Sequence, residues 1–204
     1  MRKVLVSPGA FNPFHLHHWY QVELAGKEYK VNKGILIPAY KHPEKNEVLD
    51  LEKRAEIIET FIEEVPFSFP VEISEDERRT ESTGRTIIDM CEREEGEKYL
   101  ILGLDTVLEK LEQMEDYKEL LRKVTLIVND YDREIIRVKE YSKKTRIDTR
   151  SGGITLPVGR EKIKIWRNPF SGLHSTDIRE NPEQYLYLYP EKTKKLIEKY
   201  YVKR

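Results

Sequence analysis

Three histidines, His15, His17 and His18, fall within four residues of one another. They follow Pro8-Gly9-Ala10-Phe11-Asn12-Pro13-Phe14, which in turn follows the short apolar run Lys3–Ser7. A strand, a Gly/Pro loop and a helix start form an anion site by geometry alone, because loop amides and the free N–H groups of the first helical turn converge on one point. His15 and His18 are three apart, so on a helix they share a face. Two imidazoles beside such a terminus suit a charged, crowded phosphorus centre as hydrogen-bond donors. An exposed histidine cluster or an adventitious metal site would read the same way locally. For zinc the pair lacks a third ligand, since His42 and His174 lie far off in sequence, and no metal ligand is assigned.

A second group is His174-Ser175-Thr176-Asp177-Ile178-Arg179, just after Gly172. Ser175 and Thr176 are N-cap types, so a short helix is expected to start there. Its amides, two hydroxyls and Arg179 make a second anion cradle, because a guanidinium grips phosphate through two bonds. Taken alone it also reads as an ordinary capped helix with an exposed arginine. A third feature is Gly103-Leu104-Asp105 at the end of the apolar run Tyr99–Leu102. A carboxylate in that place suits a ribose diol. Gly-x-Asp is common, so this feature carries weight only beside the other two.

The elements that must position these groups alternate. Lys3–Ser7, Gly34–Pro38, Phe69–Ile73, Tyr99–Leu102, Val124–Val128 and Lys162–Trp166 read as strands, each bounded by breakers or polar residues. Helices are expected from Leu16 to about Lys27, from an Asp50 cap to about Glu64, over Thr86–Glu95, through Leu121, from Ser175, and over Glu191–Tyr201. Leu51, Ala55, Ile58 and Ile62 form the apolar stripe of the second of these. Such alternation means βαβ units. The expected fold is α/β, a single Rossmann-like doubly wound parallel sheet with helices on both faces and ligands at the carboxyl ends of the strands. The basic stretch from Asn129 to Glu161 is the least regular and is expected to be a helix followed by a flexible loop, an insertion near 130–161 in a single domain spanning 1–204.

Composition bounds the function. The chain has 204 residues, 38% hydrophobic and 36% charged, with 36 Lys+Arg against 37 Asp+Glu and a net charge of −1. That balance excludes holding nucleic acid by bulk charge. No apolar run is long enough to cross a bilayer. The single cysteine, Cys91, excludes a disulfide framework. Walker A and G-x-G-x-x-G spacings are both absent. A cytoplasmic protein without membrane or nucleic-acid partners is expected, with a homo-oligomer left open.

Taken together, Gly9-x-Phe11-Asn12-Pro13-x-His15-x-x-His18, Gly103-x-Asp105 and Ser175-Thr176-x-Ile178-Arg179 resemble the nucleotidyltransferase superfamily with an H-x-G-H signature. The whole chain is most similar to the nicotinate-nucleotide adenylyltransferase family. The likeness extends to Glu72-Ile73-Ser74 with Arg78-Arg79 and Ser82, to Leu120–Val128, and to Tyr185–Pro190 with Lys195-Leu196-Ile197. The resemblance implies transfer of the adenylyl group of ATP, with Mg²⁺ carried mainly on its phosphates, to a mononucleotide acceptor. It implies that His15 and His18 hold the reacting phosphates and that Ser175, Thr176 and Arg179 hold the departing pyrophosphate. Asp105 would bind a ribose hydroxyl, and Gly9, Ala10, Phe11 and Gly103 would line the nucleotide. Nicotinate mononucleotide is the first acceptor implied. Nicotinamide mononucleotide, flavin mononucleotide and phosphopantetheine are alternatives, as is a non-catalytic nucleotide-binding homologue.

The chain departs from that pattern in several places. His17 occupies the glycine of H-x-G-H, where it either adds a phosphate contact or crowds the site. Arg85-Thr86 and Gln113-Met114 replace the aromatics expected near a pyridine ring, leaving Trp19 or Tyr40 as candidates to supply one. A cationic Arg85 suits the negative nicotinate carboxylate, and Lys41, His42 and Lys45 are placed to meet an acceptor phosphate or carboxylate.

Overall fold

A computed structural model describes residues 1–40, 48–80, 82–103, 106–107, 110–114, 116–130, 153–154, 163–167, 170 and 172–202. The chain runs β1 (Lys3–Gly9), α1 (Leu16–Tyr29), β2 (Lys33–Pro38), α2 (Leu51–Glu64), β3 (Val71–Ile73), α3 (Glu77–Thr80), α4 (Thr83–Arg93) and β4 (Glu97–Gly103). A 3₁₀ turn (Leu111–Gln113), α5 (Tyr117–Lys123), β5 (Thr125–Asp130), β6 (Gly153–Ile154) and β7 (Ile163–Arg167) follow. The chain then forms α6 (Ser175–Glu180), α7 (Pro182–Tyr185), a second 3₁₀ turn (Leu186–Leu188) and α8 (Glu191–Tyr201).

The strands lie in the order β3-β2-β1-β4-β5-β7-β6, all parallel except β6, which pairs antiparallel with β7 at the edge. Alternation along the strands divides their side chains between two cores. Val4, Val6, Ile35, Ile37, Leu100, Leu102, Leu126 and Val128 pack with Ile87, Ile88 and Met90 of α4 and Leu120 and Leu121 of α5. Leu5, Leu36, Ile101 and Ile127 face the other way, against Val22 of α1, Ile57, Ile58 and Phe61 of α2, Ile178 of α6 and Ile197 of α8. Helices therefore cover both faces, and β1 and β4 read as continuous apolar runs because they are buried on both sides. This is the doubly wound Rossmann-like fold.

The strand order reverses at β1, with β2 on one side and β4 on the other. Both β1 and β4 end in glycine, at Gly9 and Gly103, on the same edge of the sheet. The crevice outside that switch point is where such sheets take ligands.

Several expected elements differ for local reasons. The strand expected over Phe69–Ile73 pairs only from Val71; Pro70 has no N–H to give, and its carbonyl accepts from Gly34 instead. Asp50 stands at the N-cap of α2, but its carboxylate goes to Lys53 at 2.9 Å rather than to the helix amides. α4 starts at Thr83 because Ser82 caps it, its hydroxyl accepting from the Arg85 amide. The helix expected through Leu121 is broken, since Asp116 takes a left-handed conformation (φ 56°) before α5. Within the stretch from Asn129 to Glu161, Asn129 and Asp130 extend β5, and Gly153–Ile154 forms an edge strand. The helix and loop expected there otherwise lie outside the described residues.

Candidate active site

The loop joining β1 to α1 is fixed from several sides. Phe11 takes a positive φ of 46°, and its ring folds back over Gly9, so closely that a Cβ at Gly9 would meet it at 2.9 Å. Arg54 Nη1 donates to the Ala10 carbonyl at 2.6 Å, Arg179 Nη1 to the Asn12 carbonyl at 2.6 Å, and Ser175 Oγ to the Pro13 carbonyl at 3.1 Å. The Tyr201 hydroxyl, from the last turn of α8, donates to Asn12 Oδ1 at 2.6 Å. With its acceptors turned into protein, the loop is prepared to present donors to an anion.

His15 is the N-cap of α1, in extended conformation, and so stands just outside the helix rather than on its face. The first helical bond runs from the Trp19 amide to the His15 carbonyl, and the first turn holds no acidic residue to neutralise the helix terminus. His15 still meets His18, because the extended cap folds its ring over the first turn; the ring centroids are 3.9 Å apart. The His18 ring is also held by the Phe11 edge at 5.1 Å and by stacking on Phe14 at 5.5 Å.

The second expected cradle comes to the same place. His15 Nε2 lies 3.1 Å from Ser175 Oγ across 160 residues of sequence. The Ser175 proton is engaged by the Pro13 carbonyl, so Ser175 accepts from His15 Nε2–H, and a neutral His15 then carries a bare lone pair on Nδ1. The N-cap of α6 is His174, not Ser175, whose hydroxyl is turned to the loop instead of to its own helix. Arg179 Nη2 also donates to Thr176 Oγ1 at 3.1 Å. His15, His18, Ser175, Thr176, Arg179 and the loop through Ala10 and Phe11 thus form one cluster at the end of β1, with Gly103 on the neighbouring strand.

Both Nδ1 atoms of the histidine pair are buried without a hydrogen-bond partner. Burial holds both imidazoles well below the ordinary value of 6.5, and neighbouring histidines push the same way, His18, His17 and His174 on His15, and His17 on His18. The pair is therefore neutral at pH 7. The unfolded chain takes up these protons first as pH falls, so the stability tied to the neutral pair is present above about pH 6.5 and is lost below it. Thermal melts of the ligand-free protein are expected to be level from about pH 8 to about pH 7 and to fall below about pH 6.5. A His15→Asn/His18→Asn double variant should show a shallower fall; equal slopes for the two proteins would refute this.

Other expected site residues lie elsewhere. Arg85 sits in the first turn of α4, where its guanidinium pairs with Asp89 at 2.7 Å. Trp19 is built into the scaffold, its indole N–H donating to the Val65 carbonyl at 3.0 Å and its ring stacked on Phe67. Tyr40, beyond β2, has the Arg78 guanidinium 6.0 Å from its ring centroid. Met114 packs against the core below α4. Asp105, Lys41, His42 and Lys45 lie outside the described residues. His17 turns its Nδ1 to the Phe170 carbonyl at 2.9 Å, with its ring centroid 6.0 Å from His15 and 6.1 Å from His18.

Sequence reasoning missed Arg54. It is 1% exposed and donates to the carbonyls of Leu49, Ala10 and Ala39, joining the loops after β1 and β2 to the start of α2. Its signal was present, as a charged residue beside Leu51 and Ala55 on the buried stripe. The Tyr201–Asn12 bond, 189 residues apart in sequence, left no such signal.

Comparisons with known proteins place the chain in a family. A model of the cytidylyltransferase-like family matches residues 6–181. The chain is 30% identical to a Fusobacterium nucleatum protein described as "Probable nicotinate-nucleotide adenylyltransferase", covering 98% of this chain and 99% of that one. It is 29% identical to a Moorella thermoacetica protein of the same description, over 96% of this chain and 88% of the relative. Its fold matches the Plasmodium falciparum nicotinic acid mononucleotide adenylyltransferase complexed with NaAD, with a TM-score of 0.74 at 13% identity, over 98% of this chain and 96% of that chain. A family match over most of the length and full-length relatives of one description lead to one conclusion: the chain belongs to the cytidylyltransferase-like family, in its nicotinate-nucleotide adenylyltransferase branch.

Proposed function

We propose that this protein transfers the adenylyl group of ATP to nicotinate mononucleotide, releasing pyrophosphate, as a step of NAD biosynthesis. The observation that carries the reading is the meeting of two anion-binding helix starts, α1 and α6, through the His15–Ser175 contact at 3.1 Å. The description of the full-length relatives as nicotinate-nucleotide adenylyltransferases supports the choice of acceptor.

In the reaction an acceptor phosphate oxygen attacks the α-phosphorus of ATP. A new O–P bond forms, the bond to the bridging oxygen of the β-phosphate breaks, and pyrophosphate leaves with that electron pair. The nucleophile is already ionised, so no strong base is required. Positioning and charge stabilisation do the work. His18, fixed by Phe11, Phe14 and His15, is assigned to the α-phosphate. His15 is assigned to the α- and β-phosphates beside it as the imidazolium that bound phosphate charge favours, its Nδ1–H donating to them while Nε2–H keeps Ser175. Ser175, Thr176 and Arg179 take the β- and γ-phosphates. The backbone of Gly9, Ala10 and Phe11 lines the nucleotide, Gly103 leaves room beside it, and Asp105 takes a ribose hydroxyl. Mg²⁺ enters as part of MgATP, since it keeps water and phosphate oxygens in preference to a protein cage.

On the acceptor side, Lys41, His42 and Lys45 follow Ala39 and Tyr40 beyond the end of β2, and Arg85 opens α4. These groups suit an acceptor carrying both a phosphate and a carboxylate, with Arg85 exchanging its Asp89 partner for the carboxylate, which favours nicotinate over the neutral nicotinamide. The expected result is a clearly higher kcat/KM for nicotinate mononucleotide than for nicotinamide, flavin or phosphopantetheine acceptors. Arg85→Ala should narrow the gap between the first two. A wild-type preference for the amide would reject this acceptor assignment.

A further inference from the structure

His17 belongs to neither phosphate-binding group, yet it is 1% exposed and forms a specific bond. It lies in the first turn of α1, between His15 and His18, and its Nδ1 is 2.9 Å from the Phe170 carbonyl. A carbonyl oxygen only accepts, so Nδ1 carries the proton. The same carbonyl accepts from the Leu173 amide at 2.9 Å, closing the turn that leads into His174 and α6. Tyr20, one helical turn on from His17, sets its ring edge-on to Phe170 at 5.5 Å. α1 therefore grips this turn through both backbone and ring. Four residues after Phe170 begins the segment whose Ser175 and Arg179 reach back to Pro13 and Asn12. The two helix starts that meet at the cluster are thus joined twice, once through the cluster and once behind it through His17.

We propose that His17 is a positioning residue: through its Nδ1–H bond to Phe170 it sets the spacing between the α1 and α6 helix starts and so the grip on the triphosphate. This rests on the adenylyl-transfer reading above. A glycine there would leave the gap of one imidazole ring between α1 and the turn unfilled. The bond requires a donor at the Nδ1 place, which an asparagine amide nitrogen can occupy, whereas the amide nitrogen of glutamine sits one bond further out, nearer the Nε2 place.

The test compares wild type with His17→Gly, His17→Asn and His17→Gln, reading ATP affinity by calorimetry and turnover with ATP and nicotinate mononucleotide. His17→Gly and His17→Gln are expected to weaken ATP binding about 10-fold, as loss of one buried hydrogen bond does, and to lower kcat/KM about 10²-fold, as a misplacement near 1 Å does. His17→Asn should stay within about threefold of wild type in both. A His17→Gly protein with wild-type affinity and turnover overturns the proposal. So does equal behaviour of the Asn and Gln variants, a comparison that stands even where the glycine variant does not fold. Wild-type protein that binds ATP but transfers nothing to nicotinate mononucleotide overturns the functional reading instead, and the ATP affinities of the same variants then decide on His17.

Discussion

Replacing His18 with alanine is expected to lower kcat by about 10²–10³-fold while changing ATP affinity far less. The His18 ring is already held in place by the Phe11 edge, the Phe14 stack and His15 at 3.9 Å, so it needs no reorganisation as the reaction proceeds. In the ground state most of the triphosphate charge lies on the β- and γ-phosphates, which are assigned to Ser175, Thr176 and Arg179. Demand at the α-phosphate rises only as the new bond forms and pyrophosphate departs. A donor aimed there stabilises the transition state more than the complex that precedes it. Removing Arg179 should differ, raising KM for ATP as well as lowering kcat. Steady-state kinetics together with calorimetric ATP titration check this. A His18→Ala enzyme with kcat within a few-fold of wild type would show that another group acts at the α-phosphate.

Replacing Arg54 with alanine should have the largest effect on stability. Its guanidinium is buried and makes three short bonds, at 2.7 Å to Leu49 and 2.6 Å to each of Ala10 and Ala39, all to backbone carbonyls. Its charge is balanced by these dipoles and by Glu77, itself buried; desolvation raises the Glu77 carboxyl above its ordinary value although Thr83 donates to it and Arg54 attracts it. Alanine leaves the carbonyls without partners and Glu77 without its cation. At about 1–3 kcal/mol for each buried group left unsatisfied, less what entering water restores, the expected loss is about 3–5 kcal/mol. That is a large share of a typical folding free energy of about 5–15 kcal/mol. Arg54→Lys keeps the charge but not the planar fork, and should fall between the two. Urea denaturation measures it; a loss below about 1 kcal/mol would mean that the three carbonyls find other partners.

The same residues explain how much of the molecule was legible in the sequence. β1, the loop and α1 were clear because Pro8 and Gly9 punctuate an apolar run and nothing breaks the helix after Leu16. The parallel sheet followed from alternation, since parallel strands need helical crossovers. The helix through Leu121 was read as unbroken, because an apolar pattern persists there while Asp116 takes a left-handed conformation ahead of Tyr117–Lys123. At the site, residue types pointed to His15, His18, Ser175 and Arg179, but spacing misled on how they meet. His15 was expected on a helix face and is instead its cap, and Ser175 was expected to cap a helix and instead holds the opposite loop. His17 was legible as an anomaly but not as a contact to Phe170, since a bond across 153 residues leaves no local periodicity.

The most direct test of adenylyl transfer at this cluster is mass spectrometry of the wild-type reaction, with ATP labelled in the α-phosphate and nicotinate mononucleotide as acceptor. The expected result is a dinucleotide carrying the label, formed one-for-one with pyrophosphate and about 10²–10³-fold more slowly in His18→Ala. Release of the label as free AMP, or formation of ADP and phosphate with no dinucleotide, would contradict it.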